Sequence, residues 1–139
     1  MQVRVNMLLL ASVLVGCSEP ARNRAIVYGQ VKIDGQPVEA GSINFMPTSG
    51  NTGPTAGGSI EHGSYRIELQ KGVVLGKNRV ELRANRKTGR KVPSPFGSND
   101  TIDELVDAFP SEYNSNSTLV REISRGENHL DFDLTSKPR

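Results

Sequence analysis

Asp131 and Asp133 stand two residues apart in Asn128-His129-Leu130-Asp131-Phe132-Asp133-Leu134. On a strand that spacing sends both carboxylates to one side. Paired carboxylates can hold calcium through oxygen, but such a site takes about six to eight oxygens. No nearby residue supplies the rest, so the pair reads as solubilising charge on an outer face. His62 and His129 are isolated, each beside a Gly or Asn at a strand end, and read as surface histidines. The chain has no Gly-x-Ser-x-Gly elbow and no His-Glu-x-x-His pair. No serine has a base in a recognisable context. The residues therefore predict no catalytic site, no metal and no cofactor, with a hydrolase as an outlying alternative. The densest charge lies in Arg83-Ala84-Asn85-Arg86-Lys87-Thr88-Gly89-Arg90-Lys91. Arg86, Lys87, Arg90 and Lys91 could meet an anion: lipid headgroups, an acidic glycan or an acidic patch on an envelope protein. The plainer reading is a solvated loop at a strand end. Base-stacking aromatics are missing from the cluster, which argues against nucleic acid.

The elements that must position these residues are short strands. Along Val27 to Ile33 the apolar positions Val27, Val31 and Ile33 alternate with Tyr28, Gln30 and Lys32, the pattern of a strand with one wet face. Asp34-Gly35 supplies a turn, Pro37 suits a strand start or edge, and Ile43 and Phe45 resume the inward face. Ser64 to Leu69, Lys77 to Ala84, Thr118 to Ile123 and Asn128 to Leu134 repeat this grammar, and Gly58 to Glu61 reads as a shorter strand. Phe45, Tyr65, Ile67, Val80, Leu82, Leu130 and Phe132 are the expected core. Arg121 shares a face with Leu119 and Ile123, so it belongs at a rim or beside a carboxylate, because an unpaired buried cation is costly. From Asn85 to Ser117 the alternation stops. Thr101-Ile102-Asp103-Glu104 fits a capping box, and Ile102, Leu105, Val106 and Phe109 fall on one helical face. This predicts a short helix from Thr101 to Phe109, ended by Pro110.

The chain has 139 residues, 35% of them hydrophobic, no Trp and a formal net charge of +2. This length suits one domain, and the small net charge does not mark a polyanion binder. Cys17 is the single cysteine, which excludes an internal disulfide and a multi-thiolate metal site. It follows an apolar run, Met7 to Val15, too short to span a membrane, which takes about 20 apolar residues, and of the length of a signal-peptide core. Leu14-Val15-Gly16-Cys17 resembles the lipobox of bacterial lipoproteins. The resemblance implies a signal peptide over 1–16, acylation of Cys17 with diacylglycerol and a lipidated polar tether over 17–25. It places the protein outside the cytoplasm, anchored to the cell membrane or outer membrane.

Further motifs carry a second resemblance. Gly29-Gln30-Val31-Lys32-Ile33-Asp34-Gly35-Gln36-Pro37 with Gly41 to Pro47 is similar to the opening of the carboxypeptidase regulatory-like domains found in many bacterial lipoproteins. Gly63-Ser64-Tyr65, Phe109 to Asn114 and Gly126 to Leu134 resemble that family's later motifs in the same order. The resemblance implies a domain over 26–135, followed by a polar tail over 136–139. The fold expected from it is all-β: a seven-stranded transthyretin/Ig-like β-sandwich, with the one short helix in a long insertion. It implies a non-catalytic, structural or protein-interaction module. A carbohydrate-binding module is the alternative, with Tyr28 as its one plausible aromatic platform.

Overall fold

A computed structural model of the chain describes residues 22–48, 50–97 and 99–137. The predicted signal peptide, Cys17 and the tether as far as residue 21 lie outside the described residues. In chain order the strands are β1 (Arg24–Ile33), β2 (Gln36–Pro37), β3 (Ala40–Pro47), β4 (Ala56–Glu61), β5 (Ser64–Ile67), β6 (Val73–Val74), β7 (Gly76–Arg83), β8 (Asn85–Pro93), β9 (Thr101–Asp107), β10 (Val120–Ile123), β11 (Glu127–His129) and β12 (Phe132–Leu134). Two 3-10 turns, Leu69–Lys71 and Ser111–Tyr113, are the helical elements among the described residues.

The fold is all-β. Strands run in the order β10-β7-β3-β4-β5-β1-β11, with β2, β6 and β12 also paired to β1, and they curl into a sandwich-like body. β8 and β9 form a separate two-stranded sheet. Asp34-Gly35 and His62-Gly63 both carry positive φ at two successive positions, the mirror-image turn that matches strand twist. Glycine at the second position avoids the Cβ clash there. These turns return β1 into β2 and β4 into β5.

The core lies on the faces the alternation predicts. Phe45, Tyr65, Ile67, Val80, Leu82 and Phe132 are buried together with Val27, Val31, Ile43 and Ile60, while Leu130 is half-buried at the edge of this cluster. Tyr65 packs near Phe45 and Phe132, ring centroids 6.4 and 6.3 Å away. Its hydroxyl donates to the Leu130 carbonyl at 2.7 Å. Burial pushes the phenol well above its ordinary pKa, and the Asp131 charge adds to this. Arg121 lies at the sheet rim, on the edge strand β10, as expected. Its guanidinium lies 5.2 Å from the Phe132 ring centre, where the negative face of the ring holds it.

Several expectations are corrected. The expected seven strands become twelve among the described residues: β2 and β6 are two-residue pairings with β1, β8 and β9 occupy the stretch read as an insertion, and the last strand is divided. Arg24 and Ala25 belong to β1 and not to the tether: Ala25 is fully buried against β6. Leu69 turns outward in a 3-10 turn. The predicted Asn128–Leu134 strand breaks into β11 and β12 around Leu130 and Asp131. Both halves run parallel to β1. At the break the chain passes so close to Gly29 that a Cβ there would stand 2.0 Å from the Leu130 carbonyl oxygen. The Asp131 carboxylate substitutes for a strand partner by accepting the Gln30 N–H at 2.8 Å.

The largest correction concerns residues 85–117. No helix forms over Thr101–Phe109; Thr101–Asp107 is strand β9, paired with β8. A helix of nine residues is too short to hold itself in water. The partners that would stabilise this stretch come from β8, and they select the extended form. Phe109 turns into the core, 3% exposed, with Tyr113 edge-on to it at 6.5 Å. Asn114 ties this corner down by donating to the Asp107 carboxylate and the Phe109 carbonyl.

Candidate functional site

The β8–β9 hairpin stands off the body as an arm. No described residue between Asn85 and Asp107 is buried. Nine residues of β8 at ~3.3 Å each give an arm ~30 Å long. Isolated two-stranded hairpins are marginal in water, so its cross-strand contacts matter. Pairing sets Arg86 opposite Val106 and Val92 opposite Ile102, on one face with Glu104. Lys87, Lys91, Asp103 and Leu105 occupy the other. Between Lys87 and Lys91 the register shifts through a bulge.

That bulge organises the charges. Glu104 accepts two hydrogen bonds from the Arg90 guanidinium, at 2.8 and 2.9 Å, and one from the Thr88 hydroxyl at 2.6 Å. On the opposite face, Lys87 and Lys91 both reach Asp103 at 2.7 Å. Hydrogen bonds from Lys87 and then Lys91 hold the Asp103 carboxyl down at a pKa of about 2. Those from Thr88 and then Arg90 lower Glu104. Three of the four cations singled out in the sequence, Lys87, Arg90 and Lys91, are thus neutralised inside the arm. Arg86 makes no ion pair among the described residues.

Arg86 lies at the root of the arm, on the wall of a cleft of about 530 Å³. Ile33, Pro37, Val38, Ala84 and Ala108 supply its apolar lining. This volume falls in the range of about 300–1,000 Å³ usual for ligand sites. Glu39 and Asp34 are the acidic groups at its margin. Asp34 is engaged: the Ser136 side chain, and then its N–H, which the carboxylate accepts at 2.9 Å, lower its pKa.

The arm and the chain entry occupy opposite poles. β1 starts at Arg24, which pairs with Val74 beside the start of β7. It ends at Ile33, which lines the cleft at the arm's root. The ten residues of β1 separate the two by ~30 Å.

The remaining sequence candidates are spread over the surface. Tyr28 sits between β5 and β11, and both neighbours use its ring. His129 stacks on it at 5.1 Å, and the Arg66 guanidinium lies 5.1 Å from its centre. Arg66 is held in turn by Glu68 at 2.6 Å and Glu127 at 3.1 Å. The aromatic platform suggested for a sugar is therefore covered on both faces. His129 also meets Asp131 at 3.1 Å, and exposed His62 meets Glu39 at the same distance. Asp133 is exposed. Among the described residues no three His, Cys, Asp or Glu side chains gather as a metal site, and no helix is long and apolar enough to cross a membrane. The cleft was not anticipated from sequence, since its walls come from β1, β2 and both ends of the arm.

No protein-family model matches the chain, and no curated protein matches it. Among solved structures, the crystal structure of a 9R-lipoxygenase from Cyanothece PCC8801 aligns at 13% identity. The alignment covers 85% of this chain and 17% of the lipoxygenase, with a TM-score of 0.35. A likeness at that level carries no argument about fold or activity.

Proposed function

We propose that this is a lipid-anchored, non-catalytic protein of the bacterial cell envelope that works through contacts made by its arm. The observation that carries the reading is Leu14-Val15-Gly16-Cys17 at the end of a short apolar run, seven residues ahead of the first strand. An acylated Cys17 would hold the body within ~25 Å of the bilayer, the reach of seven extended residues. The β8–β9 arm, leaving the opposite pole, would then point away from that membrane. Arg86 is the charged contact of this surface, and Lys87, Arg90 and Lys91 serve chiefly to hold the arm in shape. The carboxypeptidase regulatory-like resemblance supports a scaffold without chemistry of its own.

Intact-mass analysis of membrane-extracted protein tests the anchor. The expected product lacks Met1 to Gly16 and carries added acyl mass on Cys17. Cys17→Ala should release the protein from the membrane with the β domain intact. An uncut chain, or a product cut elsewhere without acyl mass, would remove the basis for the reading.

A further inference from the structure

Within the arm, one face carries a broken apolar stripe: Val92 and Ile102 toward the tip and Val106 beside Arg86 at the root, with Glu104 between them. The root opens into the apolar cleft walled by Val38, Ala84 and Ala108. At the far end, between β8 and β9, Phe96 is 91% exposed. A phenylalanine buries ~150–250 Å² when it finds a pocket, and here it finds none among the described residues. The molecule therefore presents an exposed aromatic at the tip of an arm and a partly apolar cleft at its root, separated by the arm's own length.

We propose that a second copy of this chain is the partner of the arm. Two copies related by a two-fold axis lay their arms antiparallel, striped face against striped face. Each Phe96 enters the cleft at the root of the other arm. Such an interface is self-complementary, as two-fold symmetry requires. The spacing follows from the geometry: antiparallel arms of equal length bring each tip to the other's root. Charge permits it as well. Between Asn85 and Asp107 the cations Arg86, Lys87, Arg90 and Lys91 number four, and the anions Asp100, Asp103, Glu104 and Asp107 also number four. Asp103 with its two lysines faces away from the striped side. Glu104 lies on that side but is already satisfied by Arg90 and Thr88, so no unpaired anion is buried there. Two neutral arms do not repel, whereas an acidic partner would find three of the four cations engaged. Each copy would bury roughly 600 Å², near the lower limit of stable interfaces, so the dimer is reversible. This partner rests on the reading of the arm as the contact surface. It does not depend on the lipid.

Site-directed cross-linking of the full-length chain, expressed in a bacterium and extracted in mild detergent, tests the clasp. Phe96→Cys is placed in one tagged copy and Ala108→Cys in a differently tagged copy, and the two are co-expressed. Mild oxidation should yield a disulfide-linked species of twice the chain mass carrying both tags. Phe96→Cys expressed alone and Ala108→Cys expressed alone should stay at the background set by the unsubstituted chain. Phe96→Ser should raise the dimer dissociation constant, read by sedimentation, roughly tenfold or more, as for loss of an anchor side chain. Phe96→Leu should largely preserve it. Circular dichroism of each variant confirms that the body is folded. If folded variants give no tip-to-root cross-link, or link tip to tip as readily, the clasp is overturned. If Phe96→Cys links only to a protein of another mass, the second copy is wrong while the arm remains a contact surface. Loss of the acyl mass on Cys17 would fail the anchor and leave this result untouched.

Discussion

Phe132 and Asp133 show how far one position along a strand separates two side chains. Phe132 is 2% exposed, lies near Tyr65 and carries Arg121 above its ring, while Asp133 points to water. Phe132→Ala should cost about 3–5 kcal/mol, the range for emptying a buried aromatic site. Asp133→Ala should cost under about 0.5 kcal/mol. Urea midpoints of the two variants compare them directly, and equal midpoints would contradict the register of β12. Gly29 is the other position where a single atom decides. Its missing Cβ leaves room for the Leu130 carbonyl as the chain passes from β11 to β12. The obstacle is backbone and not a movable side chain, so Gly29→Ala should lose on the order of 3 kcal/mol. A thermal midpoint unchanged by that methyl group would mean that the crossing is looser than described.

As an element, the arm is held by ions where a core would otherwise serve. Its stability is therefore tied to pH. Asp103 and Glu104 are both lowered in the folded arm by their hydrogen bonds, Asp103 to about 2. A carboxyl whose pKa falls on folding stabilises the fold fully above its unfolded value, about 4. It loses that contribution as the pH drops through the folded value. The arm should therefore open between about pH 4 and pH 2, ahead of the body. Amide exchange followed by NMR should show residues 85–107 losing protection in that window while Val27, Phe45 and Val80 keep theirs. Uniform loss across the molecule would contradict an independently held arm. Charge reversal reads differently for the same reason. Lys87→Glu or Lys91→Glu sets a carboxylate beside Asp103 and should loosen the hairpin, whereas Arg86→Glu alters the cleft wall and leaves the arm's ion pairs intact. The same amide measurement separates them.

For the whole molecule, the body and the arm are separable in energy though continuous in chain. Asn85 and Asp107 face each other across the hairpin, so a two-residue Asn-Gly turn in place of Arg86 to Val106 closes the gap with strand-compatible geometry. No buried residue is removed, and the thermal midpoint should move by less than about 5 °C. Collapse of the body would show that the arm is part of the fold. On the proposed reading, the same shortened chain should still reach the membrane through Cys17 and should lose self-association.

Local rules read from the sequence determined much of this protein. Alternation in Val27 to Ile33, Ile43 to Phe45 and Tyr65 to Ile67 set which faces are wet, because side chains of a strand can point only two ways. Asp34-Gly35 announced its turn, because few residue pairs accept two positive φ angles. The basic run at Arg86 to Lys91 was visible as composition, but its neutralisation was not. That required Asp103 and Glu104 to be brought across from β9, and nothing local to either strand specifies the partner. Thr101 to Phe109 carries a helical pattern yet forms a strand over Thr101–Asp107 for the same reason. Its spacing satisfies a helical face, yet nine residues contribute too little helix stability alone, and β8 offered better contacts from outside the segment. Tertiary structure alone decided the division of the last strand at Gly29, the stacking that covers Tyr28 and the cleft beneath the arm. Each depends on segments far apart in the chain, and proximity of that kind follows from packing the whole sheet.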